Sequence, residues 1–305
     1  MSIDANYFAV VINSTIRMMT PILFVTLGSA LCNRVSIFNI GLEGTMLTGA
    51  FVAIVVNFYT GSILASLLGA MLAGMLVSWV AGVFMVKLKG AMLVVGVSIN
   101  VLMAGLTTFF MQYIFGVKGA FVSNKLVSLP KVDVSGLASV PILQTVFGSL
   151  TYLDYAAFVL AILVYIFLFK TVPGFRLRSV GINITAAKSL GIRAERIQIA
   201  TVAFSGLLSG IGGCLLTMGG VTMFAENITA GRGFIAMAAA SLGAAHPLGV
   251  IVSSAFFGFA QSLSNMLQNS SISNELTMAV PYAATIVALA IYNYINIKTR
   301  NSAQG

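Results

Sequence analysis

The stretch "NIGLEGTMLTGA", residues 39–50, sets Glu43 among apolar neighbours in a chain that has only 7 Asp and Glu in 305 residues. A carboxylate carried into a bilayer costs roughly 2.5–3.5 kcal/mol on insertion scales, so it must be neutral, paired, held at the membrane edge or lining a wet cavity. All four options belong to passage through a membrane rather than to bond-making. The other residue types agree. His246 is the one histidine, which leaves a His-based metal cluster or catalytic dyad without partners. The P-loop pattern G-x-x-x-x-G-K-[ST] is missing, and "GLEG" carries an acid where a phosphate cradle needs free N–H groups. Asp154 falls at the start of an apolar segment, where a helix N-terminus tolerates a carboxylate. Glu43 is therefore the strong candidate for any ion coupling. His246, just before Pro247, reads as a cap or turn, and the isolated Cys32 and Cys214 read as small packing residues.

The elements that must hold Glu43 are membrane helices. Hydrophobic residues make up 59% of the chain and charged residues 8%, against about 25% charged for a soluble domain. Several apolar runs exceed the ~20 residues that cross a bilayer. The pattern predicts an all-α polytopic membrane protein, one transmembrane domain over residues 1–305, with about nine segments and a range of about eight to ten. They run over 15–32, 41–58, 62–86, 91–114, 151–170, 197–220, 232–244, 247–267 and 277–296. The seventh is too short for a full crossing and reads as a half-helix or re-entrant piece. Glycines at 41, 44 and 49, and again at 212, 213, 219 and 220, suggest further breaks. The start, "MSIDANYFAVVINSTIRMMTP", lacks the features of a removable signal peptide.

The net charge of +9 marks loops rather than a nucleic-acid surface. The loop 170–198 carries Lys170, Arg176, Arg178, Lys188, Arg193 and Arg196 against Glu195, which makes it the best cytoplasmic candidate. Alternation then puts Arg34, Lys87, Lys89 and the C-terminal Lys298 and Arg300 on that same side. The loop 115–150 and the N-terminus lie outside, although Lys118, Lys125 and Lys131 in that loop run against the rule. Two small-residue stripes, Ala70-Gly74-Ser78-Gly82 and Gly206-Gly210-Cys214, offer close helix packing where lipid supplies no hydrophobic drive.

Within the basic loop, "NITAAKSLGI" offers Asn183 or Thr185 as an N-cap, a short helix through Ala186, Ala187 and Leu190 with those three on one face, and Gly191 as its end. A two-turn helix of this kind could seat in a partner's groove; the plainer reading is a basic loop with one helical turn.

At this point the residues do more than form a pattern. "RSVGINITAAKSLGIRAERIQIATVAFSGLLSGIGG" resembles the cytoplasmic loop and following helix of ABC-transporter permeases, in the group that includes branched-chain amino acid, pentose and nucleoside importers. The shared pattern is G-x-N-x-x-A-A-x-x-x-G-I followed by a Ser-Gly and Gly-Gly rich helix, met at Gly181, Asn183, Ala186, Ala187, Gly191, Ile192, Ser205, Gly206, Gly210 and Gly213. "TPILFVTLGSALCNRVSIFNIGLEG" and "GRGFIAMAAASLGAAHPLG" look like two further stretches of the nucleoside-type branch. Residues 20–267 follow the family order, whereas 116–150 match no pattern.

The resemblance implies a permease subunit of an ATP-driven importer in a bacterial cytoplasmic membrane, with the coupling loop and C-terminus cytoplasmic. The implied substrate is a nucleoside; riboflavin or a simple sugar is the alternative within the family, and an ion-coupled secondary carrier the alternative outside it. It implies no cofactor in this chain, with ATP and Mg on a separate ABC ATPase. The implied partners are that ATPase, a second permease subunit of a different chain and an extracytoplasmic substrate-binding protein. Gly181, Asn183, Ala186, Ala187, Leu190 and Gly191 would form the ATPase coupling helix. The substrate path would run past the polar groups at membrane depth, Asn39, Glu43, Ser98, Asn100 and Thr107. In that path Asn100 could meet a base edge or ribose hydroxyl and Phe234 could stack under a ring; the plainer role of each is a helix–helix hydrogen bond. For Glu43, backbone N–H groups freed at Gly41 and Gly44 would hold the carboxylate toward the cytoplasmic end, with Arg34 compensating its charge.

Overall fold

The computed structural model describes residues 5–133, 141–220 and 222–268, together with 283, 284 and 290. Long apolar runs, broken mainly by Gly, polar caps and charged turns, fold as helices because a bilayer leaves every backbone group to be satisfied within its own segment. The order is α1 (Ala5–Asn33), α2 (Leu42–Thr60), α3 (Ile63–Val86), α4 (Met92–Phe115), β1 (Ala120–Val122), α5 (Pro141–Phe147), α6 (Tyr152–Lys170), α7 (Val172–Ile182), α8 (Ile184–Ser189), α9 (Ala194–Met218), β2 (Met223–Ala225), α10 (Arg232–Leu242) and α11 (Pro247–Leu267). Among the described residues seven helices are long and apolar enough to span, and α10 is the short apolar one. The all-α multi-pass class is as expected, and eight of the nine expected segments coincide with helices. The ninth, 277–296, lies outside the described residues except at 283, 284 and 290.

Two boundaries differ from the sequence reading. The first helix begins ten residues early, and Asn13 within it spends its amide on the Val146 carbonyl at 2.7 Å and accepts from the Ser149 hydroxyl at 2.8 Å. Residues 172–182, expected as loop, form α7: Thr171 caps it by accepting from the Gly174 amide at 3.2 Å, and Pro173 sits in the first turn, where its missing N–H costs nothing.

The glycines do not break the helices. Gly44 and Gly49 lie inside α2, and Gly212 and Gly213 inside an unbroken α9; only Gly41 and Gly219 stand at helix ends. Their role is contact. α9 is the central helix, 78% of its apolar window buried, with α1, α2 and α3 around it. The two small-residue stripes face one another: Gly74 lies on the Gly206 backbone and Ala70 on Gly210, while a Cβ on Gly49 would stand 2.5 Å from the Gly210 Cα. Close approach of this kind is how helices associate where burial from water offers no drive. Cys32 and Cys214 are free and buried in this core.

At one end of the bundle β1 and β2 pair antiparallel, Phe121 opposite Phe224, and Phe121 stacks on Phe115 with ring centroids 3.8 Å apart. At the other end lie α7, α8 and the α1–α2 turn. Between α9 and α11 the chain crosses back only half as helix: an irregular stretch descends from the ribbon and α10 covers the rest, a rise of about 16 Å.

Candidate functional site

The start of α10 is where the irregular backbone meets Glu43. Gly231, at φ +78°, turns the chain into the helix, and its N–H donates to Glu43 Oε1 at 2.8 Å; the Gly233 N–H donates to Oε2 at 2.6 Å. Glu43 is itself in the first turn of α2 and only 7% exposed. One carboxylate therefore faces the positive ends of two helices, which explains how it is tolerated at this depth. A Cβ on Gly233 would come within 2.6 Å of the Glu43 backbone, so glycine is required for the approach.

This corrects the expected bracing of Glu43. The Gly41 and Gly44 N–H groups are occupied by Asn39 Oδ1 at 3.2 Å and Asn100 Oδ1 at 2.8 Å. Arg34 is elsewhere: its Nε donates to the Ala245 carbonyl at 2.9 Å and Nη2 to Ala244 at 3.2 Å, beyond the far end of α10. Glu43 thus lies about 16 Å, the length of α10, from the Arg34 end of the bundle.

Around Glu43 opens a cavity of about 710 Å³ between α2, α4, α11 and the 227–235 stretch. Of the expected path residues, Glu43, Asn100 and Phe234 line it. Asn100 does so with both amide atoms engaged, since its Nδ2 also donates to the Ile40 carbonyl at 2.9 Å. Phe234 keeps 46% of its surface exposed. Asn39, Ser98 and Thr107 are not in the wall. Asn39 is buried and donates to the Ser205 hydroxyl at 3.1 Å, Thr107 returns its hydroxyl to the Met103 carbonyl at 2.8 Å, and Ser98 is exposed on α4. These three therefore stand apart from the cavity that Glu43, Asn100 and Phe234 line.

Four carboxamides in the wall escaped the sequence reading: Asn227, Gln261, Asn265 and Gln268. A signal existed, because 261, 265 and 268 recur at i, i+4 and i+7 in an otherwise apolar helix and so share one face. Gln261 Nε2 donates to Asn265 Oδ1 at 3.3 Å. Amide donors and acceptors beside an aromatic face can hold a neutral, ring-bearing polar solute. Among the described residues no group of three His, Cys, Asp or Glu could hold a metal.

The second candidate surface is at the α7–α8 end. Asn183 is the N-cap of α8, its Oδ1 accepting from the Ala186 N–H at 3.0 Å, and Gly191 at φ +78° follows the helix. The three apolar residues do not share one face. Ala187 is 2% exposed and packs on Val180 and Ala194, whereas Ala186 is exposed and Leu190 is 80% exposed. Gly181 packs closely, its backbone on Arg34, and its carbonyl accepts from the Ser36 hydroxyl at 2.8 Å. A groove of about 500 Å³ beside α8 is lined by Phe175, Leu190, Ile192, Arg193 and Arg196 among others. Lys188 and Glu195 close the hairpin with a 2.7 Å ion pair. Arg34 and Arg178 both lie over the Phe169 ring, at 5.9 and 4.9 Å, and burial followed by the Arg178 charge lowers the Arg34 pKa. His246 caps α11 as expected, its Nδ1 accepting from the Leu248 N–H at 3.3 Å, and Asp154, expected at a helix start, forms a capping box there with Thr151.

Residues 11–289 match the family described as "Branched-chain amino acid transport system / permease component". The chain is 35% identical to the guanosine ABC transporter permease protein NupQ of Bacillus subtilis, over 92% of this chain and 91% of that protein. It is 33% identical to the nucleoside ABC transporter permease protein NupC of Lactococcus lactis, over 94% and 93%. Among solved structures, PsaBC from Streptococcus pneumoniae in complex with Fab aligns over 92% of this chain and 94% of that one, at 14% identity and a TM-score of 0.48.

Proposed function

The chain belongs to the branched-chain amino acid transport system permease family, and from that premise we propose that it is the membrane subunit of an ATP-driven nucleoside importer. The observation that carries the substrate is the likeness, across most of both chains, to permeases for guanosine and nucleosides. The cavity chemistry is in keeping: carboxamides for base edges and ribose hydroxyls, and Phe234 for a ring face.

In this reading a substrate-binding protein delivers the solute at the ribbon end, in a bacterial cytoplasmic membrane, and the α7–α8 end faces the cytoplasm. A separate ATPase, with ATP and Mg, seats α8 and the exposed Leu190 in its own groove. A second permease subunit of a different chain completes the path. Closing of the ATPases shifts the permease only through contacts that differ between its two states. The broken crossing at α10 supplies a joint for that shift, since half-helices around a central site are how many carriers open to alternate sides.

The test is reconstitution of the chain with its ATPase, second permease and binding protein in vesicles. ATP-dependent uptake of labelled guanosine, competed by other nucleosides and not by ribose or riboflavin, is expected. Competition by ribose or riboflavin alone would replace the substrate. Uptake by this chain alone under an ion gradient would replace the class.

A further inference from the structure

A groove of about 630 Å³ opens between α6, α7 and α9, on the side of the bundle toward α8. Leu160, Leu163 and Phe167 of α6 and Ile197, Ala200 and Phe204 of α9 form its length. Thr201 also lines it, but its hydroxyl is returned to the Ile197 carbonyl at 2.7 Å. The charged residue of the wall is Arg176 of α7. A polar solute finds no partner along such a groove, whereas hydrocarbon fits its whole length.

The depth of the groove agrees. Its α6 wall lies in the membrane span Tyr152–Lys170 and its α9 wall in the span Ala194–Met218. Each wall runs about 10 Å along its helix, about two-thirds of one leaflet of a bilayer whose core is about 30 Å thick. The α6 span ends at Lys170 and α7 begins at Val172, so Arg176 stands at the membrane boundary, where lipid phosphates lie.

The charge at this mouth is unanswered. Arg176 and Ile197 also line the smaller groove beside α8, whose wall includes Arg193 and Arg196. All three arginines are exposed, and among the described residues their guanidiniums make no hydrogen bond or ion pair. Glu195, next to them in sequence, is taken by Lys188 at 2.7 Å. Arg34 and Arg178 at the same end are placed otherwise, Arg34 on two carbonyls and Arg178 over the Phe169 ring. A guanidinium is matched best by a planar or tetrahedral oxyanion, and basic pockets between membrane helices suit anionic lipid heads.

We propose that this groove holds one anionic phospholipid, with an acyl chain along α6 and α9 and the phosphate at Arg176, flanked by Arg193 and Arg196. An apolar helix of a second permease subunit would fill the length and leave the guanidinium unmatched; a phospholipid supplies both parts in one molecule. Lipid held in this way joins α7 to the central helix α9. The proposal is independent of which solute is carried.

The test is native mass spectrometry on the full chain with its co-purifying partners, with phosphatidylglycerol and a galactosyl diacylglycerol of the same acyl chains as probes. The wild type is expected to retain one more phosphatidylglycerol than Arg176→Gln, with binding about tenfold weaker in the variant and no such difference for the galactolipid. Ala200→Leu fills the groove without changing a charge and should lose the same lipid, which keeps the test decisive should Arg176→Gln fail to assemble. Lys89→Gln removes a cation near Glu195 at the same end but outside the groove wall, and it should retain the lipid. Equal retention of the two lipids by the wild type, equal phosphatidylglycerol retention by the wild type and the groove variants, or equal loss in Lys89→Gln and Arg176→Gln overturns the proposal. Release of the second permease subunit by Ala200→Leu, with no lipid lost, assigns the groove to that subunit and overturns it as well.

Discussion

The Gly233 N–H lies 2.6 Å from the carboxylate of Glu43, so that α2 and α10, far apart in sequence, begin face to face across one acidic side chain. Both Glu43 oxygens are in use, the second by Gly231. Glu43→Gln keeps one acceptor and turns an NH₂ group toward the other amide. A hydrogen bond to a charged group is worth about 1.5–3 kcal/mol, and the variant should lose stability of that order. Thermal unfolding in detergent reads the loss, and ATP-driven uptake should fall with it. An unchanged unfolding temperature together with lost uptake would make Glu43 a transport group rather than a brace.

Gly233→Ala tests the same joint by volume. Its Cβ meets the backbone of Glu43 at 2.6 Å, and overpacking of that kind costs about 1–3 kcal/mol. Gly105→Ala, in α4 with nothing within 4 Å of the added Cβ, is the control and should be neutral or slightly stabilising. A Gly233→Ala protein as stable as that control would contradict the described approach of the two helices.

The central helix gives a third expectation. Gly210 is wedged against Ala70 and Gly49, so Gly210→Leu should prevent α2 and α3 from closing on α9. Loss of the monodisperse peak in detergent size-exclusion chromatography is expected; a normal peak and normal stability would show that the stripes do not meet.

What the sequence disclosed follows from the range of the forces involved. Helix positions were legible because hydropathy over about 20 residues is a local sum. The caps at Asn183 and His246 were legible because each bond spans only two or three residues. The partner of Glu43 was not, because it lies 188 and 190 positions away and consists of backbone N–H groups, which any residue except proline carries. Glycines misled for a related reason: Gly212 and Gly213 resemble breaks in sequence, yet their missing Cβ atoms serve α1 and α2 lying alongside. The family resemblance supplied the class of transport, while the path residues had to be found by shape. Ser98 shares Asn100's helix but not its face, and Thr107, two turns further along that face, returns its hydroxyl to its own helix.

At the coupling end, Leu190 and Ala187 should separate docking from folding. Leu190 is 80% exposed, so Leu190→Asp leaves stability within about 0.5 kcal/mol, as surface substitutions do. Co-purification of the ATPase should nevertheless drop, and stimulated ATP hydrolysis with it. Ala187→Leu, against Val180 and Ala194, should instead lower the unfolding temperature by overpacking. Retained ATPase binding in Leu190→Asp would move the docking surface elsewhere on the α7–α8 end.

The carboxamides of α11 bear on substrate choice. Asn265 is half-buried in the cavity wall, and among the described residues its Nδ2 reaches only the Met18 sulfur, at 3.4 Å, a weak acceptor that a polar solute can replace. Its Oδ1 receives Gln261, which fixes the orientation of the amide toward the cavity. Asn265→Leu keeps the volume and removes both polar atoms, so the fold should persist while a solute group that paired with them is left unsatisfied. One such bond is worth about 1–1.5 kcal/mol, or about a tenfold rise in the concentration giving half-maximal uptake. The effect should be largest for the nucleoside whose base presents most polar edge atoms and smallest for free ribose. Parallel uptake assays on wild type, Asn265→Leu and the control Ser98→Ala, on α4 but outside the cavity wall, would check this. A uniform loss for every solute would assign Asn265 to the gate, and no change in any would remove α11 from the path.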